Sequence, residues 1–126
     1  MHPMVMRVDA IEKVTGKAIY ADDLAFDRMI YAAPLHSEYP SARIVRIATG
    51  RAMAHPGVVD VITAAEVPGK KQVGGIIADQ FIIADDRVRY SGDVVAVVAA
   101  ETAEAARAAA KLIAIEYEPW EPLLSP

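Results

Sequence analysis

The residues of this chain that could support chemistry are three histidines, a few closely spaced glycines and two acidic pairs. None of His2, His36 and His55 stands four residues from another, and none has a nearby Glu in a metal-ligand pattern. Gly16-Lys17 has the ending of a phosphate-binding loop, but Ile11 stands where its first glycine belongs. Ala18 replaces the hydroxyl residue that would hold magnesium. Gly69, Gly74 and Gly75 follow a Pro turn and open no helix, so they make no dinucleotide fingerprint. Two readings stand for them: conformational freedom in a surface loop, or a mobile loop that lines a pocket with Ile76 and Ile77 as apolar contacts. Asp22-Asp23 and Asp85-Asp86 are carboxylate pairs of the kind that do acid–base work, yet paired acids in turns are mostly caps. No serine lies in a nucleophile elbow. The chain has no cysteine, which excludes disulfides, zinc–thiolate sites and iron–sulfur ligation by its own residues. Read alone, the sequence assigns no catalytic, cofactor-binding or metal-binding residue.

The elements that would position these residues follow from the apolar pattern. Residues 1–28 read as an arm, with a turn at Val14–Lys17 and a short strand at Ala18–Tyr20. Ile30–Leu35 is β-prone, and Pro34 places it at a sheet edge or a strand end. Strands are expected at Arg43–Ile47 and Val58–Thr63, with a short helix over Gly50–His55 stopped by Pro56-Gly57. Gln72–Asp79 is the least regular stretch, and Phe81–Ile83 is a short apolar segment. Val94–Ala100 has no polar residue, as a strand covered on both faces requires. Thr102 is the expected N-cap of an Ala-rich helix, with Glu104 in its first turn. Glu104, Arg107 and Lys111 share one stripe of that helix, and its alanine face allows close approach to a sheet. Ile113, Ile115 and Tyr117 alternate with Ala114, Glu116 and Glu118, as in a strand with one buried face. The order implies an α+β fold, a mixed sheet with packed helices, including a β-α-β unit near residues 94–117.

At 126 residues the chain is expected to be one domain over 1–126. Its hydrophobic fraction, 54%, exceeds the roughly 45–50% of an ordinary globular domain. That surplus points to an apolar face that self-associates as a homo-oligomer or meets a partner. A net charge of −4 argues against nucleic acid and against an anionic membrane surface. No apolar run approaches the roughly 20 residues of a membrane-spanning helix. Met1–Arg7 has no basic region followed by an apolar core, so no signal peptide is expected and a cytoplasmic location is the default.

Several segments, in order and spacing, carry a family resemblance. They are Arg7–Asp23, Pro40–Ile44, Ala54–Val58, Glu66–Gly69, Val88–Asp93 and Ala105–Glu118. From Arg7 to Pro122 the chain resembles the α/β hammerhead domain of the molybdenum-binding large subunit of molybdenum hydroxylases, such as xanthine dehydrogenase, aldehyde oxidase and aerobic carbon monoxide dehydrogenase. The resemblance implies that the molybdopterin-binding domains, with their catalytic glutamate, lie outside this sequence. It also implies that the molybdopterin, iron–sulfur and FAD sites lie on other domains or subunits, which would be this chain's partners. The domain's own role would be scaffolding, domain docking and a share of the substrate funnel, with no catalysis by itself. Family loops after the Pro-Gly turn reach the funnel with apolar residues that follow a glycine, and here that pattern falls on Ile76 and Ile77. An acid at Asp93 stands where many relatives have Gln, Glu or His, which leaves the subtype open. The alternative reading is a stand-alone, non-catalytic interaction or assembly module with the same fold.

Overall fold

The computed structural model describes residues 7–123. Its centre is β7 (Val94–Ala100), the apolar run singled out above. It is flanked by β1 (Tyr31–His36) on one side and β3 (Val58–Thr63) on the other, both antiparallel. Residues alternate between the two faces of a strand. Accordingly Ala96, Val98 and Ala100 join the core beneath α3 (Ala103–Ala110), whereas Val95 faces a second core with Ala42, Ala84 and Val88. Both faces are covered, so polar residues are excluded from the strand. Burying a side chain such as Val95 or Val98 contributes about 1.5–3 kcal/mol.

The second core lies under a sheet of β6 (Arg87–Val88), β2 (Ala42–Ala48) and β8 (Ala114–Pro119), again antiparallel. Ile47 and Ile115 pack against both cores and join the two sheets. Arg43 on β2 pairs with Glu118 on β8 across the solvent face. The short α2 (Gly50–Met53) packs against β3 and α3.

The α3 helix starts as its sequence requires. Thr102 is extended, and its Oγ1 accepts the Ala105 N–H at 3.1 Å. Ala106, Ala109 and Ala110 form the buried stripe, and their small side chains bring the helix close to β1 and β7. Glu104 occupies the first turn, where the helix dipole favours it.

The α+β hammerhead architecture implied by the resemblance is the one found. All its strand pairs are antiparallel, so the sheets are not mixed. β7, α3 and β8 follow one another over the expected 94–117 region, but β8 enters the other sheet. Both edges of β7 are already taken by β1 and β3, which leaves β8 no free edge there. Pro34 lies within β1, an edge strand of its sheet, the setting in which a strand tolerates proline.

Other local expectations differ. Ala18–Tyr20 forms no strand, because nothing pairs with it. The Tyr20 N–H instead donates to the Asp23 carboxylate at 2.9 Å and opens a 3-10 turn at Ala21–Asp23. A one-turn helix, α1 (Ala10–Val14), precedes it, with no buried residue. The irregular stretch after Pro68 is a hairpin, closed by β4 (Gln72–Val73) and β5 (Gln80–Phe81). The apolar segment expected at Phe81–Ile83 divides: Phe81 ends β5, while Ile83 and Ala84 turn into the core.

Candidate functional site

The hairpin and the turn beneath it form the part of the molecule best built to act outward. Two residue pairs hold its stem: Gln72 opposite Phe81, and Val73 opposite Gln80. Below the stem, the Ile82 N–H donates to the Lys71 carbonyl at 3.0 Å, and Lys71 Nζ pairs with Asp85 at 3.0 Å. Ile83 and Ala84 are then buried at the base, and Ala84 joins the second core, its N–H donating to the Val94 carbonyl at 2.7 Å.

The tip is shaped by Gly74. A Cβ there would run into the backbone carbonyl of Ile77, so the tight fold of the tip admits no side chain. This bend presents Ile76, fully exposed, and Ile77, 69% exposed, to solvent. The structure thus places both predicted funnel residues together at the end of one projecting hairpin. Lys70, Lys71, Gln72, Ala78 and Phe81 line a hollow of about 430 Å³ along its side.

A second loop supports the first. Asp93 is 4% exposed, and its carboxylate accepts the Arg89 N–H at 3.1 Å. Its carbonyl accepts the Ser37 N–H at 2.8 Å, and the Gly92 N–H donates to the Ser37 carbonyl at 2.9 Å. Gly92 has φ +96°, which a side chain would strain. His36 Nδ1 lies 2.8 Å from the Gly92 carbonyl, so this nitrogen carries the proton. Held in this way, the Arg89 guanidinium lies 4.1 Å from the centroid of the Phe81 ring, at the hairpin stem. Arg89, Tyr90 and Ser91 also border a cleft of about 550 Å³ with Pro40, Ser41 and Leu123.

The remaining candidates have local roles. Asp85 and Asp86 pair with Lys71 and Arg89, and Asp23 caps the 3-10 turn. His55 Nδ1 is 2.9 Å from the Pro56 carbonyl, just past α2. His2 lies outside the described residues. Among the described residues no three His, Asp or Glu side chains converge in a metal-binding group.

Ionisation is perturbed at few positions. The Thr63 hydroxyl and N–H both donate to the Glu66 carboxylate, at 2.6 and 2.7 Å, and hold it below the ordinary carboxylate value. Lys13, then Arg7, lowers Asp9 in the arm. Burial raises Tyr117, whose ring lies 5.0 Å from that of Tyr39.

Sequence reasoning missed the clasp of Ser37, Arg89 and Asp93 and the stacking of Arg89 on Phe81. The available signal was an acid directly after a glycine and before an apolar strand, a pattern of turn-fixing aspartates.

Comparison with known proteins agrees with the fold. Residues 15–121 match the family described as "Aldehyde oxidase and xanthine dehydrogenase, a/b hammerhead domain". The chain is 46% identical to a probable xanthine dehydrogenase subunit of Bacillus subtilis strain 168, over 98% of its own length and 17% of that protein's. It is 43% identical to the nicotinate dehydrogenase large molybdopterin subunit of Eubacterium barkeri, over 92% of its length and 27% of that protein's. The reconstituted CO dehydrogenase from Oligotropha carboxidovorans superposes with a TM-score of 0.91 at 32% identity, covering 96% of this chain and 15% of the other. The chain therefore belongs to the aldehyde oxidase and xanthine dehydrogenase hammerhead family of molybdenum hydroxylases. It spans less than a third of the length of each of these relatives.

Proposed function

We propose that residues 1–126 act as a hammerhead domain within a molybdenum hydroxylase large subunit, with residues 1–28 as a connecting arm and the molybdopterin-binding domains supplied by other parts of the enzyme. The whole enzyme would oxidise or reduce a small heteroaromatic, aldehyde or acyl substrate. Molybdopterin, iron–sulfur clusters and flavin on the other domains or subunits supply the redox chemistry. This domain contributes no catalytic group. It scaffolds, docks and lends the hairpin tip to the substrate funnel.

The observation that carries this reading is the presentation of Ile76 and Ile77 on a projecting, Gly-bent hairpin. Two large apolar side chains on a loop tip are left largely exposed, and water solvates them poorly. Packed at the mouth of a site, they would contact substrate equally in the ground and transition states. Such uniform binding lowers KM and leaves kcat alone. Exposed arm residues such as Ile19, Leu24 and Phe26 fit the docking role in the same way.

The test is steady-state kinetics of Ile76→Ala/Ile77→Ala in the complete enzyme. Losing these contacts should raise KM by roughly tenfold, the equivalent of about 1.4 kcal/mol of binding, with kcat retained. An unaltered KM and substrate preference would remove the funnel role.

A further inference from the structure

We infer that Arg89 is a positioning residue for the hairpin tip, acting through Phe81; this rests on the funnel reading of Ile76 and Ile77. A two-stranded hairpin with a stem of two residue pairs does not hold its own direction in water. Something at the stem must aim it. Beyond the buried Ile83 and Ala84 at its base, two side-chain contacts reach the stem among the described residues. The Lys71–Asp85 pair is exposed on both sides and sets little. The Arg89–Phe81 stack is of another kind.

Arg89 is held from behind on the main body. Its N–H donates to buried Asp93, its guanidinium donates to the Arg87 carbonyl at 3.0 Å, and Asp86 lies within 3.4 Å. Asp93 is in turn clasped to Ser37. The guanidinium nitrogens are therefore bonded to the body, while its central carbon sits over the Phe81 ring. Only a planar cation can do both at once, and lysine offers no such plane. Phe81 is a stem residue paired with Gln72, so its ring transmits that fixed position to the hairpin. The chain of contacts runs from Ser37 through Asp93, Arg89 and Phe81 to the strand pair from which Ile76 and Ile77 project.

The experiment uses the complete enzyme containing this chain, with Arg89→Gln, Arg89→Lys, Phe81→Leu and Phe81→Tyr variants. Hydrogen exchange is measured on peptides covering residues 72–82, with peptides of β7 and α3 as the check that the body is folded. Arg89→Gln and Phe81→Leu should speed exchange in the hairpin by roughly tenfold and leave β7 and α3 unchanged. Phe81→Tyr, which keeps the aromatic face, should match the parent, and Arg89→Lys should restore only part of the protection. KM should rise in the two loosened variants with kcat retained, in parallel with Ile76→Ala/Ile77→Ala. Unchanged hairpin exchange in both Arg89→Gln and Phe81→Leu overturns the inference. So does a loosened hairpin with normal KM where Ile76→Ala/Ile77→Ala raises it, and in that case the funnel reading survives. If the hairpin loosens but neither that variant nor Ile76→Ala/Ile77→Ala moves KM, the funnel reading fails and the positioning role falls with it.

Discussion

The β7–α3 unit and the β4–β5 hairpin are joined through the same turn at Gly92-Asp93, yet they are built on opposite terms. In β7 nearly every side chain is covered, and α3 lies on it through alanines. In the hairpin two residue pairs carry the whole ladder, and Ile76 and Ile77 at the tip are exposed to solvent. The first arrangement maximises contact per residue and tolerates no change in volume. The second forgoes contact to present side chains elsewhere. One region is built for burial, and the other leaves apolar side chains exposed.

The sharpest way to break this contrast is to enlarge the helix–sheet contact. Ala109 has no exposed surface, and Ala109→Leu should destabilise the fold by about 1–3 kcal/mol through overpacking, read by urea unfolding. A neutral result would mean that α3 is not closely packed. Next in size is the helix start. Thr102→Ala leaves the Ala105 N–H without its partner and should cost about 1 kcal/mol by the same measurement.

A smaller effect is pH-dependent. The Glu66 carboxyl titrates lower in the folded chain than the ordinary value of 4.5, because Thr63 donates two hydrogen bonds to its charged form. That stabilisation is fully present above about pH 4.5 and is lost as pH falls through the folded value. Glu66→Gln should flatten this part of the acid limb of a stability–pH profile, and an unchanged limb would show that the capped carboxylate contributes nothing. The smallest change completes the comparison. Ile76→Ala/Ile77→Ala should leave unfolding stability within about 0.5 kcal/mol of the parent, since both side chains are largely exposed. A large loss of stability would place the tip in the core and end the contrast.

The same division governs what the sequence reveals. Val94–Ala100 and the Thr102-capped helix are legible because burial on both faces and a capping side chain leave long, regular signatures. β4, β5 and β6 each have two residues, too few for any period to show. The sheet membership of β8 was hidden because pairing depends on which edges of β7 remain free. Ile76 and Ile77 came forward first as apolar residues after a glycine-rich turn and then through resemblance, and the geometry adds that Gly74 bends the tip that carries them. Asp93 and Arg89 were hidden for a different reason. Their partners, Ser37 and Phe81, lie on other segments, and no local pattern encodes that meeting.

The central claim is that this domain works inside a molybdenum hydroxylase. The most direct measurement is to isolate the protein through a tag on this chain from its native host, identify what is recovered and determine molybdenum and iron in the same sample. The account predicts a molybdopterin-binding domain or subunit together with both metals. A stable, metal-free sample containing only this chain would contradict it.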